Sequence, residues 1–219
     1  MNTIFSMDNP VFRAIGKMVD LVWINILTLI CALPVFTAGA SFSAMYYMLL
    51  KMAEDRRDPL TSGFFHAFRE NFRNATKVWL VALAAFVVYG YNLYLLRAGV
   101  LDGYGSFGKI SLAVIVLILF AMIMLLNYIF ALFARYDRGV KATIKNAAML
   151  AVAFFPRSLC MTVLVFFPLA LMMLSNYFFW LWFLYGFTFP GYLIARLMLR
   201  VFKKAGGDQE EETDELEEV

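Results

Sequence analysis

The sequence predicts an all-α, polytopic membrane helix bundle with six spans arranged as three hairpins, and an interfacial amphipathic helix beside them. Three observations lead to this prediction. Hydrophobic residues make up 63% of the chain and charged residues only 16%, whereas a soluble domain carries about 25% charged residues. The chain also contains four long runs without a charged side chain. Finally, the basic residues fall almost entirely on one side of the spans that these runs define.

The first charge-free run, Leu21–Leu50, is too long for one ordinary span. Its 30 residues would make about 45 Å of helix, against a hydrocarbon core about 30 Å thick. Pro34 and Gly39 interrupt it, because proline removes a backbone donor and glycine permits a sharp bend. We therefore predict a tight hairpin with arms Met18–Phe36 and about Gly39–Met52. The short second arm is a tilted span, a span in a thinned bilayer, or a re-entrant segment packed against protein.

The other three runs supply four more spans. Val78–Leu96 and Ile110–Ala134 contain 19 and 25 residues, enough for one span each. Ser158–Ala195 contains 38 residues, about 57 Å of helix and therefore two spans. Its expected break is at Ser175 and Asn176, just before the aromatic cluster Tyr177–Trp182, because Trp and Tyr favour the membrane–water interface.

The distribution of Lys and Arg orients these spans. With six spans, 17 basic residues lie on one side and only Arg97 and Lys109 on the other. Basic loops concentrate in the cytoplasm, so both termini are expected there and the protein in the cell membrane. A five-span alternative fits less well, since it divides the same residues 15 to 4. Anionic membrane lipids, and not nucleic acid, are the expected partners of charges placed between apolar runs.

The first cytoplasmic connector contains an amphipathic helix over Thr61–Lys77. Its aromatic residues recur at helical spacing, whereas Arg69 and Arg73 fall elsewhere on the helical wheel; the aromatic residues are Phe64, Phe65, Phe68 and Phe72. A basic amphipathic helix beside spans usually lies in the inner membrane interface. The alternative is a docking surface for a cytoplasmic partner, with Arg69 and Arg73 as the docking residues.

The second connector and the C-terminal tail complete the cytoplasmic side. Arg135–Arg157 begins basic and ends in an apolar helical stretch closed by Pro156. Eight of the 16 acidic residues lie in the last twelve positions, so a disordered acidic tail is expected over 206–219. The sequence therefore divides into a transmembrane helical domain, 1–205, and this cytoplasmic tail.

No residue pattern indicates catalysis. His66 is the only histidine, and the sequence contains no recognisable nucleophile, metal-ligand or phosphate-binding motif. We therefore predict a protein that is not an enzyme and has no cofactor, metal or catalytic residue. No charged residue lies deep in a predicted span. Since such residues usually mark proton and ion pathways, their absence disfavours a proton-coupled transporter.

Polar and small residues inside the spans are predicted to hold helices together. The small row Gly39, Ala40, Ser43 and Ala44 permits close approach, and we expect it to pack against the first arm of the same hairpin. Amides and hydroxyls usually hydrogen-bond across helix interfaces. The alternative is a polar path lined by three amides, those of Asn25, Asn92 and Asn127.

The first hairpin resembles the YesL-like family of bacterial membrane proteins, whose function is uncharacterised. The resemblance rests on a pattern of five residues: Trp23, Asn25, Pro34, Thr37 and Gly39. It continues through eight further residues: Phe65, Phe68, Phe72, Ala75, Thr76 and Trp79, and then Phe189 and Pro190. It extends to about Lys204 and does not include the acidic tail. The five pattern residues are interpreted as structural.

The resemblance implies a compact membrane protein often encoded beside genes for carbohydrate uptake and degradation. We therefore expect an accessory protein linked to carbohydrate uptake, with a carbohydrate transporter complex as its partner. The alternative is a small-solute transporter or channel that uses the path of three amides. The sequence alone gives neither the ligand nor the oligomeric state.

Overall fold

The computed structural model describes residues 10–56, 59–98, 106–136, 139–174 and 183–204. In chain order the helical elements are α1, Pro10–Ala32; a 3-10 turn, Val35–Thr37; α2, Ala38–Ala53; α3, Leu60–Arg97; α4, Ser106–Arg135; α5, Val140–Ala153; α6, Phe155–Leu174; and α7, Thr188–Lys204. No strand occurs in these ranges, so the all-α class is confirmed for the described residues.

The central helix of the bundle is α2, which packs against α1, α3, α4 and α7. Twelve of its 16 residues are buried. Many of them are small, so neighbouring helices come close on several sides. The predicted second arm of the first hairpin therefore exists with nearly the expected bounds. However, it is enclosed by protein on most of its circumference, unlike a helix that faces lipid.

The first hairpin turns where the sequence predicts. α1 ends at Ala32, two residues before Pro34, and a short 3-10 turn leads directly into α2. The expectation that Gly39 packs against the first arm of the same hairpin was wrong, because Gly39 faces α3. A Cβ at Gly39 would collide with Trp79 and Ala75 of α3, so this glycine serves the contact between α2 and α3.

The predicted amphipathic helix is not a separate element. Thr61–Lys77 is the first half of α3, which continues without a break to Arg97. At 38 residues, α3 is about 57 Å long, nearly twice the thickness of the hydrocarbon core. The first half packs against α2, where Met48 lies next to Gly63, and its Phe64 and Ala67 are buried. The amphipathic segment of the connector and the third predicted span, Val78–Leu96, therefore form one continuous rod.

The second connector also differs from its prediction. α5 ends at Ala153, and Pro156 lies in the first turn of α6 instead of closing α5. The two helices meet at an angle of 103°. Proline is well tolerated in a first helical turn, where its missing N–H has no intrahelical partner. Pro156 is therefore compatible with the start of the new helix at this sharp corner.

Three described helices are long and apolar enough to cross a membrane: Ala14–Ala32, Leu60–Leu95 and Ile110–Arg135. The bent pair α5–α6 brings the number to four if it counts as one span. Several apolar helices of this length are typical of a multi-pass membrane protein. Six spans are not confirmed. The predicted break at Ser175 and Asn176 and the acidic tail both lie outside the described residues.

Candidate functional site

Thr37 closes the turn between α1 and α2. Its hydroxyl lies 2.6 Å from the carbonyl oxygen of Cys31 and 2.7 Å from that of Pro34. The last carbonyls of a helix lack intrahelical donors, and Pro34 has no N–H to offer. Thr37 therefore supplies the donor that the proline removes. The Pro34 and Thr37 of the five-residue pattern form one structural unit.

Gly39 and Trp79 join this turn to α3. With no side chain at Gly39, α2 packs directly on the Ala75 carbonyl and the base of the Trp79 side chain. The Trp79 indole N–H then donates to the Val35 carbonyl oxygen at 2.6 Å. The close approach at Gly39 and the hydrogen bond from Trp79 to Val35 together fix the position of the turn along α3.

Asn25 links α1 to the segment that precedes α7. Its side-chain nitrogen donates to the Phe183 carbonyl oxygen at 2.8 Å, and its side-chain oxygen accepts from the Phe187 N–H at 3.3 Å. In an unbroken helix those two backbone groups would bond to each other. The buried amide of Asn25 therefore stands between them at a helix break, a known cause of kinks.

Trp23, the remaining residue of the pattern, lies on the outer surface of α1. Its indole N–H donates to the Thr61 hydroxyl at the start of α3, at 3.0 Å. All five pattern residues therefore lie at or beside contacts between helices. No further chemical role follows from these contacts.

The three amides considered for a polar path have separate partners. Asn25 binds the backbone before α7. Asn92 is exposed on α3 and donates to the Val88 carbonyl of its own helix at 2.8 Å. Asn127 is buried on α4, where its oxygen accepts from the Tyr46 hydroxyl at 2.9 Å. Its nitrogen has no hydrogen-bond partner. No hydrogen bond joins any two of these amides.

A cluster of charged residues at the C-terminal end of α2 was not anticipated from the sequence. Lys17 of α1 pairs with Asp55 at 2.6 Å, and Arg135 at the end of α4 pairs with Glu54 at 2.8 Å. The Arg135 guanidinium also stacks over the Phe202 ring of α7. The cluster, which we call the charge clasp, connects α1, α2, α4 and α7.

The charge clasp is partly shielded from its surroundings. The Arg135 side chain is only 9% exposed and that of Glu54 24%, so the attraction between them is stronger than in a surface pair. Asp55 adopts a φ of 59°, the left-handed region that few non-glycine residues occupy. The only sequence signal was the acidic pair Glu54 and Asp55 directly after an apolar helix.

Arg69 and Arg73, the predicted docking residues, are exposed on the first half of α3. They are four residues apart and so share one face of the helix. Arg69 borders an open, shallow groove whose other lining residues include Phe65, His66 and Glu70. The Nδ1 atom of His66 and the Oε2 atom of Glu70 lie 3.5 Å apart, and the two residues are one helical turn from each other. The face therefore combines exposed aromatic and charged groups.

No group of three His, Cys, Asp or Glu side chains that could hold a metal ion occurs in the described ranges. The two cysteines, Cys31 and Cys160, are free thiols on different helices. The geometry therefore supplies contacts between helices and exposed basic faces as candidate functional features.

The region from α1 to α3 is also where the chain resembles known sequences. Residues 21–93 match a family described as "Protein of unknown function, DUF624". The match spans the second half of α1, the turn with Pro34 and Thr37, all of α2 and most of the α3 rod. No curated protein and no solved structure matches the chain. The matched region contains the Gly39–Trp79 contact and the face with Arg69 and Arg73.

Proposed function

We propose that this chain is a non-enzymatic accessory membrane protein that binds a carbohydrate-uptake complex through its cytoplasmic face. The proposal rests chiefly on one observation, the exposed basic face of α3 with Arg69 and Arg73. A rigid helix presents these residues, so a partner meets a preformed surface with little ordering cost. The link to carbohydrate uptake comes from the YesL-like resemblance of the first hairpin.

Both termini are cytoplasmic in this proposal, and the membrane is the cell membrane. The support is the division of basic residues, 17 against 2, together with the placement of Arg69, Arg73, Arg196 and Arg200 on exposed helix faces. Exposed basic residues next to spans are typical of the cytoplasmic side.

A small-solute transporter is the second candidate, and one observation favours it. The Asn127 side-chain nitrogen is buried without a hydrogen-bond partner, and an unpaired buried donor costs about 1–3 kcal/mol. A polar solute would satisfy that donor. Against this candidate, Asn25 binds backbone groups through both its amide nitrogen and its amide oxygen, and Asn92 bonds within its own helix.

Charge reversal on α3 tests the proposal. Arg69→Glu with Arg73→Glu is expected to abolish capture of the partner by crosslinking in native membranes, and to lower sugar uptake, at matched expression. Lys141→Glu with Lys145→Glu is the matched control, because these residues are also exposed and four residues apart, but on α5. Equal capture by the two double variants would refute docking at α3.

Replacement of the amides separates the two candidates. Asn25→Leu, Asn92→Leu and Asn127→Leu each remove polar groups from the bundle without changing the basic face. An accessory protein should retain most of its effect on sugar uptake, apart from a stability loss of about 0.6–2 kcal/mol per lost interhelical hydrogen bond. Loss of uptake in these variants, with uptake unchanged in the α3 charge reversal, would replace the accessory function with transport.

A further inference from the structure

Charged and uncharged residues divide α3 into two halves. The half before Val78 exposes three basic side chains on one side of the helix, those of Arg69, Arg73 and Lys77. The half Val78–Leu96 contains no charged residue. Because α3 is continuous, these halves lie at different depths along one rod. Only the second half is compatible with the hydrocarbon core.

Tyrosines mark the far boundary of that core. Tyr91 and Tyr94 are exposed near the C-terminal end of α3, and Tyr is enriched at the membrane–water interface. A core about 30 Å thick corresponds to about 20 helical residues. A core that ends at these tyrosines therefore begins near Arg73, and the Lys77 side chain can extend back toward the headgroups.

α2 lies beside the charged half of α3. Near the C-terminal end of α2, Met48 fills the space next to Gly63 of α3, and near its N-terminal end Gly39 packs on Ala75. Gly63 and Ala75 are separated by twelve residues, or about 18 Å of helix. Most of the length of α2 is therefore level with Arg69 and Arg73, outside the charge-free half.

α7 runs beside the later part of α2 toward the charge clasp. Gly191 packs against Met45 and Leu49 in the middle and later part of α2. Arg196 and Arg200 follow on the exposed side of α7. α2 is therefore accompanied by exposed arginines on two different neighbouring helices. A full crossing by α2 would place Arg69 and Arg73 in hydrocarbon, where charged side chains are costly. Arg196 and Arg200 lie level with the C-terminal end of α2, because Phe202 contacts Arg135, the partner of Glu54.

The tip of the first hairpin reaches only a short way into the core. The Val35 carbonyl accepts from the Trp79 indole, so the tip is level with Trp79. Trp79 lies six residues beyond Arg73, about 9 Å along α3. At the other end of the hairpin, Lys17 pairs with Asp55. The two arms therefore begin and end at the same side of the membrane.

We propose that α1 and α2 form a re-entrant hairpin that enters the cytoplasmic leaflet and returns without crossing the bilayer. The exposed apolar tip residues Leu33, Val35 and Phe36 contact the acyl chains of that leaflet. The side chain of Lys77 extends back to the headgroups of that leaflet and pairs with anionic lipid phosphate. The hairpin keeps Lys17 in the cytoplasm and leaves the 17-to-2 division of basic residues unchanged.

Site-directed labelling distinguishes the two arrangements. Leu33→Cys and Phe36→Cys, each in a chain with Cys31→Ala and Cys160→Ala, place a thiol at the tip, where residue Leu33 is 77% exposed. Intact cells are treated with a membrane-impermeant maleimide. Tyr104→Cys in the predicted outer loop is the positive control. The same tip variants, carrying a bimane fluorophore, are reconstituted into vesicles of lipids brominated in mid-chain.

We expect no labelling of either tip variant from outside, full labelling of the Tyr104→Cys control, and strong bromine quenching of bimane at the tip. Labelling of Leu33→Cys or Phe36→Cys at the level of the control would show a crossing hairpin and overturn the proposal. Absence of quenching would overturn it too, because the tip would then lie outside the acyl chains. Neither measurement needs a protein partner, so the result is independent of the docking function proposed for α3.

Discussion

Gly39→Ala is expected to destabilise the protein, although alanine is the best helix former. A Cβ at position 39 would lie 2.6 Å from the Ala75 carbonyl oxygen and closer still to the Trp79 Cβ, whereas ordinary contacts begin at 3.4 Å. The difference means that α2 and α3 must separate by at least about 0.8 Å. Both opposing atoms belong to or adjoin the backbone, so no flexible side chain can yield.

The size of the effect follows from two opposing contributions. Overpacking of a well-packed contact costs about 1–3 kcal/mol. The change from glycine to alanine in a helix returns up to about 1 kcal/mol. Separation of α2 and α3 also strains the hydrogen bond from Trp79 to Val35, so we expect a net loss of about 1–2 kcal/mol in the free energy of unfolding.

Gly90→Ala is the matched control on α3. A Cβ there would meet nothing within 4 Å, so the same substitution should stabilise by about 0.5–1 kcal/mol through backbone entropy. Thermal unfolding of the purified protein in detergent should therefore shift down by about 2–8 °C for Gly39→Ala and slightly up for Gly90→Ala. A Gly39→Ala protein as stable as the wild type would refute the close approach described at this contact.

Two further predictions concern polar contacts, each with its own control. Asn25→Leu should lower the free energy of unfolding by about 1–3 kcal/mol, because two backbone groups lose their partner, while Asn92→Leu should be within about 0.5 kcal/mol of the wild type. Similar unfolding temperatures for the two variants would contradict the bridging role of Asn25. Glu54→Gln should cost about 1–3 kcal/mol, since it leaves the shielded Arg135 with a weaker partner, whereas the exposed Glu70→Gln should be nearly neutral. If added salt lowers the unfolding temperature of the wild type by as much as Glu54→Gln does, salt screens the pair of Glu54 and Arg135 as it screens a surface ion pair. That outcome would contradict the shielding of the charge clasp.

Much of the first hairpin was predictable from the sequence, for local reasons. Pro34 must end a regular helix, and a threonine three residues later is a natural donor for the carbonyls left open. The two arms of the hairpin were predictable because the run Leu21–Leu50 contains no charged residue and is too long for one span. The partner of Gly39 did not follow, because a small residue permits close approach without specifying which helix approaches. That choice depends on the whole bundle.

The extent of α3 shows a second limit of sequence reasoning. The change from an amphipathic to an apolar pattern near Lys77 suggests two elements, yet no proline or glycine interrupts the backbone there. A change of surroundings along a helix alters its residue pattern without ending the helix. The charge clasp was missed for a different reason, since its members are 38 and 81 residues apart in sequence.

The continuity of α3 gives the molecule a lever across the membrane. Its fulcrum is the Gly39–Trp79 contact, where the rod is held by both packing and a hydrogen bond. The arm from Trp79 to Arg97 is about 27 Å and the arm from Trp79 to Arg69 about 15 Å. A tilt of about 5° about the fulcrum would move the far end by about 2.4 Å. The arm that carries Arg69 is also held against α2 where Met48 lies next to Gly63, so a pull on Arg69 would have to move α2 and α3 together.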